Sequence, residues 1–181
     1  MGAALDSSLV DALPSATRAD VLAACLQCGT CSAVCPMSDY MEFLPRQVVG
    51  LMRGDGADAI MRDRSIWVCT SCYACTVECP KQIPITDAIY TLKRESMRRD
   101  LYPRRFPSPV MVRAFAASVG SRGRSTESWI SVSLYLRTRP LELLRNAPLA
   151  LRLVRAGRMS FRRERSRDPE QIRRLLEAVE A

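Results

Sequence analysis

The chain has 181 residues, 48% of them hydrophobic, with eight cysteines, no histidine and a formal charge of +8. That length suits one ordinary domain, or one small domain with an extension, and the apolar fraction excludes wholesale disorder. Without histidine there is no imidazole base, no usual partner for a catalytic Ser or Cys, and no His-containing zinc site.

Residues 1–16 read as a flexible N-terminal segment. They carry Asp6 and Asp11 and no basic stretch, unlike a signal peptide. Asp6 also stands where an N-myristoylation pattern needs Ser or Thr. No apolar run in the chain approaches the ~18 residues that span a bilayer. A cytoplasmic location is expected, where thiols stay reduced and grouped cysteines serve as metal ligands rather than disulfides.

A helix is expected next, with Thr17 as N-cap and Val21, Leu22 and Cys25 on one face. It runs into "CLQCGTCSAVCP", residues 25–36. The same pattern returns as "CTSCYACTVECP", residues 69–80, and the two copies use all eight cysteines. Each copy reads C-x2-C-x2-C-x3-C-P, the ligand run of bacterial-type [4Fe–4S] proteins. Three cysteines at two-residue gaps let one loop wrap a corner of a cubane. The fourth lies too far round a helical turn and reaches the other cluster in two-cluster proteins. The proline sets φ and removes an N–H where the chain leaves the cluster. The expectation is therefore crossed. Cys25, Cys28, Cys31 and Cys79 hold cluster 1; Cys69, Cys72, Cys75 and Cys35 hold cluster 2. Zinc fits less well, because it needs neither the third close cysteine nor the proline. A disulfide framework would need a secretory route. Gly29 would let the backbone approach one cluster, and Thr70 and Ser71 could donate hydroxyls to the other; ordinary loop chemistry explains these three equally well.

The connector looks helical. Leu44, Val48, Leu51 and Met52 share a face, with Gly54 as a stop. A short helix follows over 57–63, before Trp67 and Val68. After Pro84, the residues Ile85, Ile89, Leu92 and Met97 line one side of a long amphipathic helix. Both motifs thus lie in loops capped by helices, whose N–H groups can reach cluster sulfurs and tune potential.

With its motifs so placed, the stretch from about 17 to 102 resembles the alpha-helical ferredoxin family, found in the iron–sulfur subunits of succinate dehydrogenase and fumarate reductase. No further cysteines exist for the plant-type [2Fe–2S] domain of those subunits. In size and motif the chain is most similar to the C-subunit family of heterodisulfide reductases, including its relative in sulfur-oxidising bacteria. The resemblance implies a mainly α fold, an alpha-helical ferredoxin with two [4Fe–4S] clusters. It also implies partners: a flavoprotein subunit and a cysteine-rich subunit holding a disulfide-active site.

Beyond Asp100, "LYPRRFPSP" reads as a linker and residues 103–181 as a helical extension, in pieces broken by Gly120, Pro140 and Pro148. Asp168, Pro169 and Gln171 mark the start of a last helix. Docking to a partner is the favoured role of this extension; a self-contained helical subdomain and membrane-surface contact by residues 140–158 are the others. Trp129, Tyr135 and Leu136 are candidate apolar anchors, and their alternative is the core of such a subdomain. Arg158, Arg162, Arg163, Arg165 and Arg167 would face acidic groups, or simply solvent. Nucleic acid is not expected: each cluster with four thiolates carries about −2, offsetting half the basic excess, and no aromatics are interleaved with the basic runs.

The functional expectation is an electron-relay subunit with no catalytic site of its own, since every cysteine ligates iron. Its alternatives are a relay subunit of another dehydrogenase complex, of the succinate/fumarate or hydroxyacid type, and an interaction protein whose clusters are structural.

Overall fold

The computed structural model describes residues 19–54, 56–159 and 164–180. All regular elements among them are helical, and they fall into two units, Met1–Pro103 and Arg104–Ala181. The mainly α expectation is borne out.

In the first unit, α1 (Ala19–Ala23) leads into the first motif. The Thr17 cap expected before it lies outside the described residues. Two four-residue helices follow the second cysteine of each block: α2 (Thr30–Ala33) and α6 (Ala74–Val77). Between them run α3 (Pro45–Met52), α4 (Ala57–Arg62) and α5 (Ser65–Val68). Pro45 opens α3 at a position that needs no N–H donor, and the Gln47 side chain accepts from the Leu44 N–H at 2.8 Å.

The helix after the second motif, α7 (Ile85–Arg98), is the hub. It packs against α3, α4, α5 and α6. Its inward face carries Ile85, Ala88, Ile89 and Leu92, each at most 3% exposed, and it meets Val48, Val49, Met52, Ile60, Met61 and Ile66 in one core. The i, i+3, i+4, i+7 spacing of that face is why the segment is a helix and why it buries one side. Truncating Leu92 to Ala would cost about 2–5 kcal/mol. Two buried polar groups of α7 are satisfied locally. Ser96 donates to the Met61 carbonyl at 2.8 Å. Glu95, 3% exposed, receives both Arg98 and Arg99.

The second unit holds α8 (Pro107–Arg122), α9 (Glu127–Thr138), α10 (Pro140–Arg145), α11 (Ala147–Arg155) and α12 (Pro169–Glu180). Helix α8 packs on α9 and on α12. The expected break at Gly120 does not occur. Gly120 sits inside α8 with open space around it, and the helix ends at Gly123, whose φ of 69° supplies the left-handed C-terminal residue. Gly123 is also crowded: a Cβ there would lie 2.8 Å from Ile172 and Ser166 atoms. Pro140 and Pro148 do mark boundaries, each in the first turn of a helix. Asp168 caps α12, accepting the Gln171 N–H at 3.0 Å. Helix α8 begins at Pro107, inside the expected linker.

This unit buries little. Val110 is its one buried large aliphatic side chain among the described residues, while Phe115, Leu136, Leu141, Leu144, Leu149 and Leu175 are more than half exposed.

Candidate metal centre

The two motif loops share one backbone solution. Gln27 and Ser71, each just before the second cysteine, have φ of 55° and 57°. Gly29 and Tyr73, each just after it, have φ of 87° and 62°. Two left-handed residues around one cysteine curl each loop tightly enough to turn three side chains toward one point. Glycine meets the need at position 29 at no steric cost. Tyr73 bears a strain on the order of 1 kcal/mol for the same turn.

Burial repeats as well. In each block the second cysteine (Cys28, Cys72) is exposed and the third (Cys31, Cys75) is buried. The first and fourth are half-buried. Helix α2 packs directly on α6, bringing Cys31 and Cys75 together at the middle of the unit. The two blocks are therefore arranged as a pseudo-symmetric pair, with one thiol of each at the shared wall and one at the surface.

Two cavities lie either side of that wall. One is lined by Cys25, Cys28, Cys31 and Cys79, with Arg46 and Lys81. The other is lined by Cys35, Cys69, Cys72 and Cys75, with Tyr73 and Thr86. Each encloses about 330 Å³, as two copies of one group would require. Among the described residues no three cysteine, histidine, aspartate or glutamate side chains converge closely enough for a single ion. Zinc would need that convergence, with four ligands about 2.0–2.3 Å from one centre. A cubane does not, because it presents a separate iron to each thiolate. The residues fit [4Fe–4S] groups.

Hydrogen bonds reach the sulfurs unevenly. The Gln27 backbone N–H and its side-chain Nε2 both donate to Cys25 Sγ at 3.4 Å. The Thr30 hydroxyl lies 3.4 Å from Cys28 Sγ and depresses the Cys28 thiol pKa. In the other cavity the Thr86 hydroxyl lies 3.5 Å from Cys75 Sγ and 3.1 Å from the Thr76 hydroxyl, which accepts the Thr86 N–H at 3.1 Å. Burial raises the Cys31, Cys35 and Cys75 thiols above the usual value. The cysteines that push Cys35 further up are Cys69, Cys75 and Cys72, all of the other block. Iron binding must expel these protons, since a coordinating thiol is deprotonated outright. One cation sits on each loop's entry carbonyl: Arg53 Nη1 on Cys25 at 3.1 Å, and Lys93 Nζ on Cys69 at 3.3 Å.

Of the loop residues expected to matter, Gly29 lines the first cavity and Thr70 the second; Ser71 instead supplies a left-handed turn. Gln27, Thr30, Thr86, Arg46 and Lys81 were not expected at the site. Gln27 and Thr30 lie inside the motif and are legible there as polar groups beside a ligand. Arg46 and Thr86 come from α3 and α7, and only packing brings them in. In the second unit, Trp129 and Tyr135 are half-buried and Leu136 is 57% exposed. Trp129 lines a groove between α8 and α9 with Arg113, Arg122 and Arg137. Arg158 is exposed and shares a cavity with Arg124, Glu127 and Glu164. Arg162 and Arg163 lie outside the described residues. No described helix is long and apolar enough to cross a membrane.

Compared with known families, residues 21–83 match the 4Fe-4S dicluster domain. The expectation of two [4Fe–4S] clusters is borne out. Among curated proteins the chain is similar to the C subunit of the ferredoxin:CoB-CoM heterodisulfide reductase of Methanosarcina mazei, at 39% identity over 80 residues, 44% of this chain and 48% of that one. It is also similar to the C subunit of the H(2):CoB-CoM heterodisulfide,ferredoxin reductase of Methanothermobacter thermautotrophicus, at 32% over 83 residues, covering 46% of this chain and 45% of the relative. A second iron–sulfur C subunit, that of the CoB–CoM heterodisulfide reductase of Methanocaldococcus jannaschii, is 39% identical over 70 residues, 39% of this chain and 37% of that one. The resemblance to the C subunits of heterodisulfide reductases thus holds, and the chain spans about half the length of the curated relatives it matches.

Proposed function

We propose that this chain, a dicluster iron–sulfur protein similar to the C subunits of heterodisulfide reductases, is the one-electron relay of such a complex. It would connect a flavoprotein subunit to a cysteine-rich subunit with a disulfide-active site. The observation that carries the reading is the arrangement of eight thiols in two sets of four, with a shared wall between them. The clusters, when bound, supply one-electron steps between flavin and disulfide chemistries that each exchange two.

The chain's own residues do the rest. Cys25, Cys28, Cys31 and Cys79 are the proposed ligands of one cluster, and Cys35, Cys69, Cys72 and Cys75 of the other. With four thiolates assigned to each, no coordination position is left for a substrate, so turnover belongs to the partners. Cys28 and Cys72 give each site an exposed edge at which a partner can exchange an electron. Cys31 and Cys75 make the buried internal edge, where α2 and α6 exclude water between the sites. The crossing also makes each cluster depend on both blocks, so the fold and the cofactors stabilise each other.

The second unit is the proposed docking extension, residues 103–181. Its short helices bury little of their apolar surface, and such helices gain most of their stability from packing on something else. Trp129, Tyr135 and Leu136 are the proposed anchors, and the arginine-lined groove beside Trp129 suits an acidic element of a partner. The role of Arg158, Arg162 and Arg163 is the same charge pairing.

An EPR-monitored reductive titration of the intact complex tests the relay. Two reversible one-electron couples per chain are expected. Clusters inert to reductant would mean that the iron is structural, leaving an interaction protein. The full chain carrying Trp129→Ala and Leu136→Asp tests docking: both cluster signals should persist while co-purification with the complex is lost. Normal assembly of that variant refutes these anchors.

A further inference from the structure

The two cavities are alike in volume and thiol count but differ in charge. The cation on each entry carbonyl, Arg53 on one side and Lys93 on the other, is common to both and offsets itself. Beyond that pair, the cavity of Cys25, Cys28, Cys31 and Cys79 has Arg46 and Lys81 in its wall. The Arg46 side chain lies across the motif loop, its Cδ 3.8 Å from where a Gly29 Cβ would be. Among the described residues, the cavity of Cys35, Cys69, Cys72 and Cys75 has no charged side chain in its wall; Met37, Met41, Pro45 and Ile89 fill the corresponding space. The ionisable group tied to its rim is acidic, since the Tyr73 hydroxyl donates to Asp87 Oδ1 at 3.2 Å.

Sulfur hydrogen bonds lean the same way. The first set has three donors within reach, the Gln27 N–H, Gln27 Nε2 and the Thr30 hydroxyl. Among the described residues, the second has the Thr86 hydroxyl alone. Reduction adds one negative charge to a group that already carries about −2. Cations and sulfur hydrogen bonds stabilise that added charge, and a dry apolar wall disfavours it. Both differences therefore push the two sites apart in one direction.

We infer that the Cys25, Cys28, Cys31, Cys79 site is the higher-potential one, so that the first electron entering the chain settles there, and that Arg46 and Lys81 are the residues that place it. The inference rests on the relay reading and on the crossed sets. It gives the relay a direction: one electron leaves a reduced partner near Cys72, crosses at the Cys75–Cys31 wall, and is handed to an oxidised partner near Cys28. The donor therefore meets the face of Tyr73, and the acceptor meets the face bearing Arg46 and Lys81.

The test is a potentiometric titration of the full chain with both clusters loaded, using dithionite as the one-electron reductant and EPR spin counts as the readout. Wild type should show two midpoints. Arg46→Gln with Lys81→Gln should move only the higher one to more negative potential. The expected size is roughly three- to tenfold in its reduction equilibrium, because both charges are exposed and partly screened. That is about 28 to 59 mV for a one-electron couple. Arg46→Lys keeps the charge and should leave the higher midpoint close to wild type. Thr86→Val removes the lone donor of the other cavity and should move only the lower midpoint. The inference is overturned if the Arg46 and Lys81 changes move the lower couple, or move neither, or if they and Thr86→Val move the same couple. Clusters that take no electron at all would sink the relay reading together with it. Two reducible clusters indifferent to Arg46 and Lys81 would sink the inference alone.

Discussion

Replacing Cys35 by alanine separates crossed from sequential ligation. Cys35 belongs to the first block, yet it lines the cavity of Cys69, Cys72 and Cys75 and feels their charge. Alanine removes one of four thiolates from that set and none from the other. Three thiolates leave one iron without a protein ligand, and the half-buried site has the exposed Cys72 edge open to solvent. Loss of the whole cluster is expected, so bound iron should fall from ~8 to ~4 per chain, with one EPR signal remaining. The first unit should survive the change, since α7 and its apolar partners are untouched. Identity is settled by comparison. The signal lost in Cys35→Ala should be the one lost in Cys69→Ala and the one retained in Cys28→Ala. Cys79→Ala should pair with Cys28→Ala by the same logic. If Cys35→Ala and Cys28→Ala abolish the same signal, each block holds its own cluster and the crossed assignment is wrong.

Two further predictions concern stability. Glu95 is buried against Arg98 and Arg99, and the Arg98 guanidinium, then Arg99, hold its carboxyl below the ordinary value. A carboxyl whose pKa is lowered by folding contributes stability above its unfolded pKa and loses it as pH falls through the folded one. Glu95→Gln should therefore lower the urea stability of the loaded protein by about 1–3 kcal/mol at neutral pH, and the gap to wild type should close below about pH 4.3. A gap that is constant with pH would mean that the ion pairs contribute nothing. At the motif loops, Gly29→Ala meets no steric contact closer than 3.8 Å but must hold φ at 87°. It should cost about 1 kcal/mol, whereas Tyr73→Gly should relieve strain at φ 62° by a similar amount, partly offset by the loss of the hydroxyl bond to Asp87. Thermal unfolding of the loaded protein reads both, and equal effects of the two would refute the left-handed requirement.

Much of this protein is legible in short stretches of sequence because the relevant physics is short-ranged. A run of C-x2-C-x2-C-x3-C-P determines how far one loop can wrap, so the cofactor type and the eight cysteines follow from spacing alone. The hub helix is equally local: Ile85, Ile89 and Leu92 recur at helical spacing, and the buried face follows. The start of α12 is written in Asp168, Pro169 and Gln171. Where two local signals compete, the sequence is silent. Gly120 and Gly123 both look like helix breaks, but only the second is needed at positive φ, where Ile172 and Ser166 crowd it.

What lies beyond one loop was decided by packing. Cys31 and Cys75 are forty-four residues apart by number and meet only because α2 lies against α6. Arg46 arrives over Gly29 from α3, Thr86 reaches Cys75 from α7, and Lys93 comes back to the Cys69 carbonyl from further along the same helix. The two blocks are nearly equivalent as strings of letters, so the sequence alone makes two equivalent sites. Charge and donors differ between them because the neighbours supplied by the tertiary structure differ, and electrostatic tuning depends on distance in space rather than along the chain.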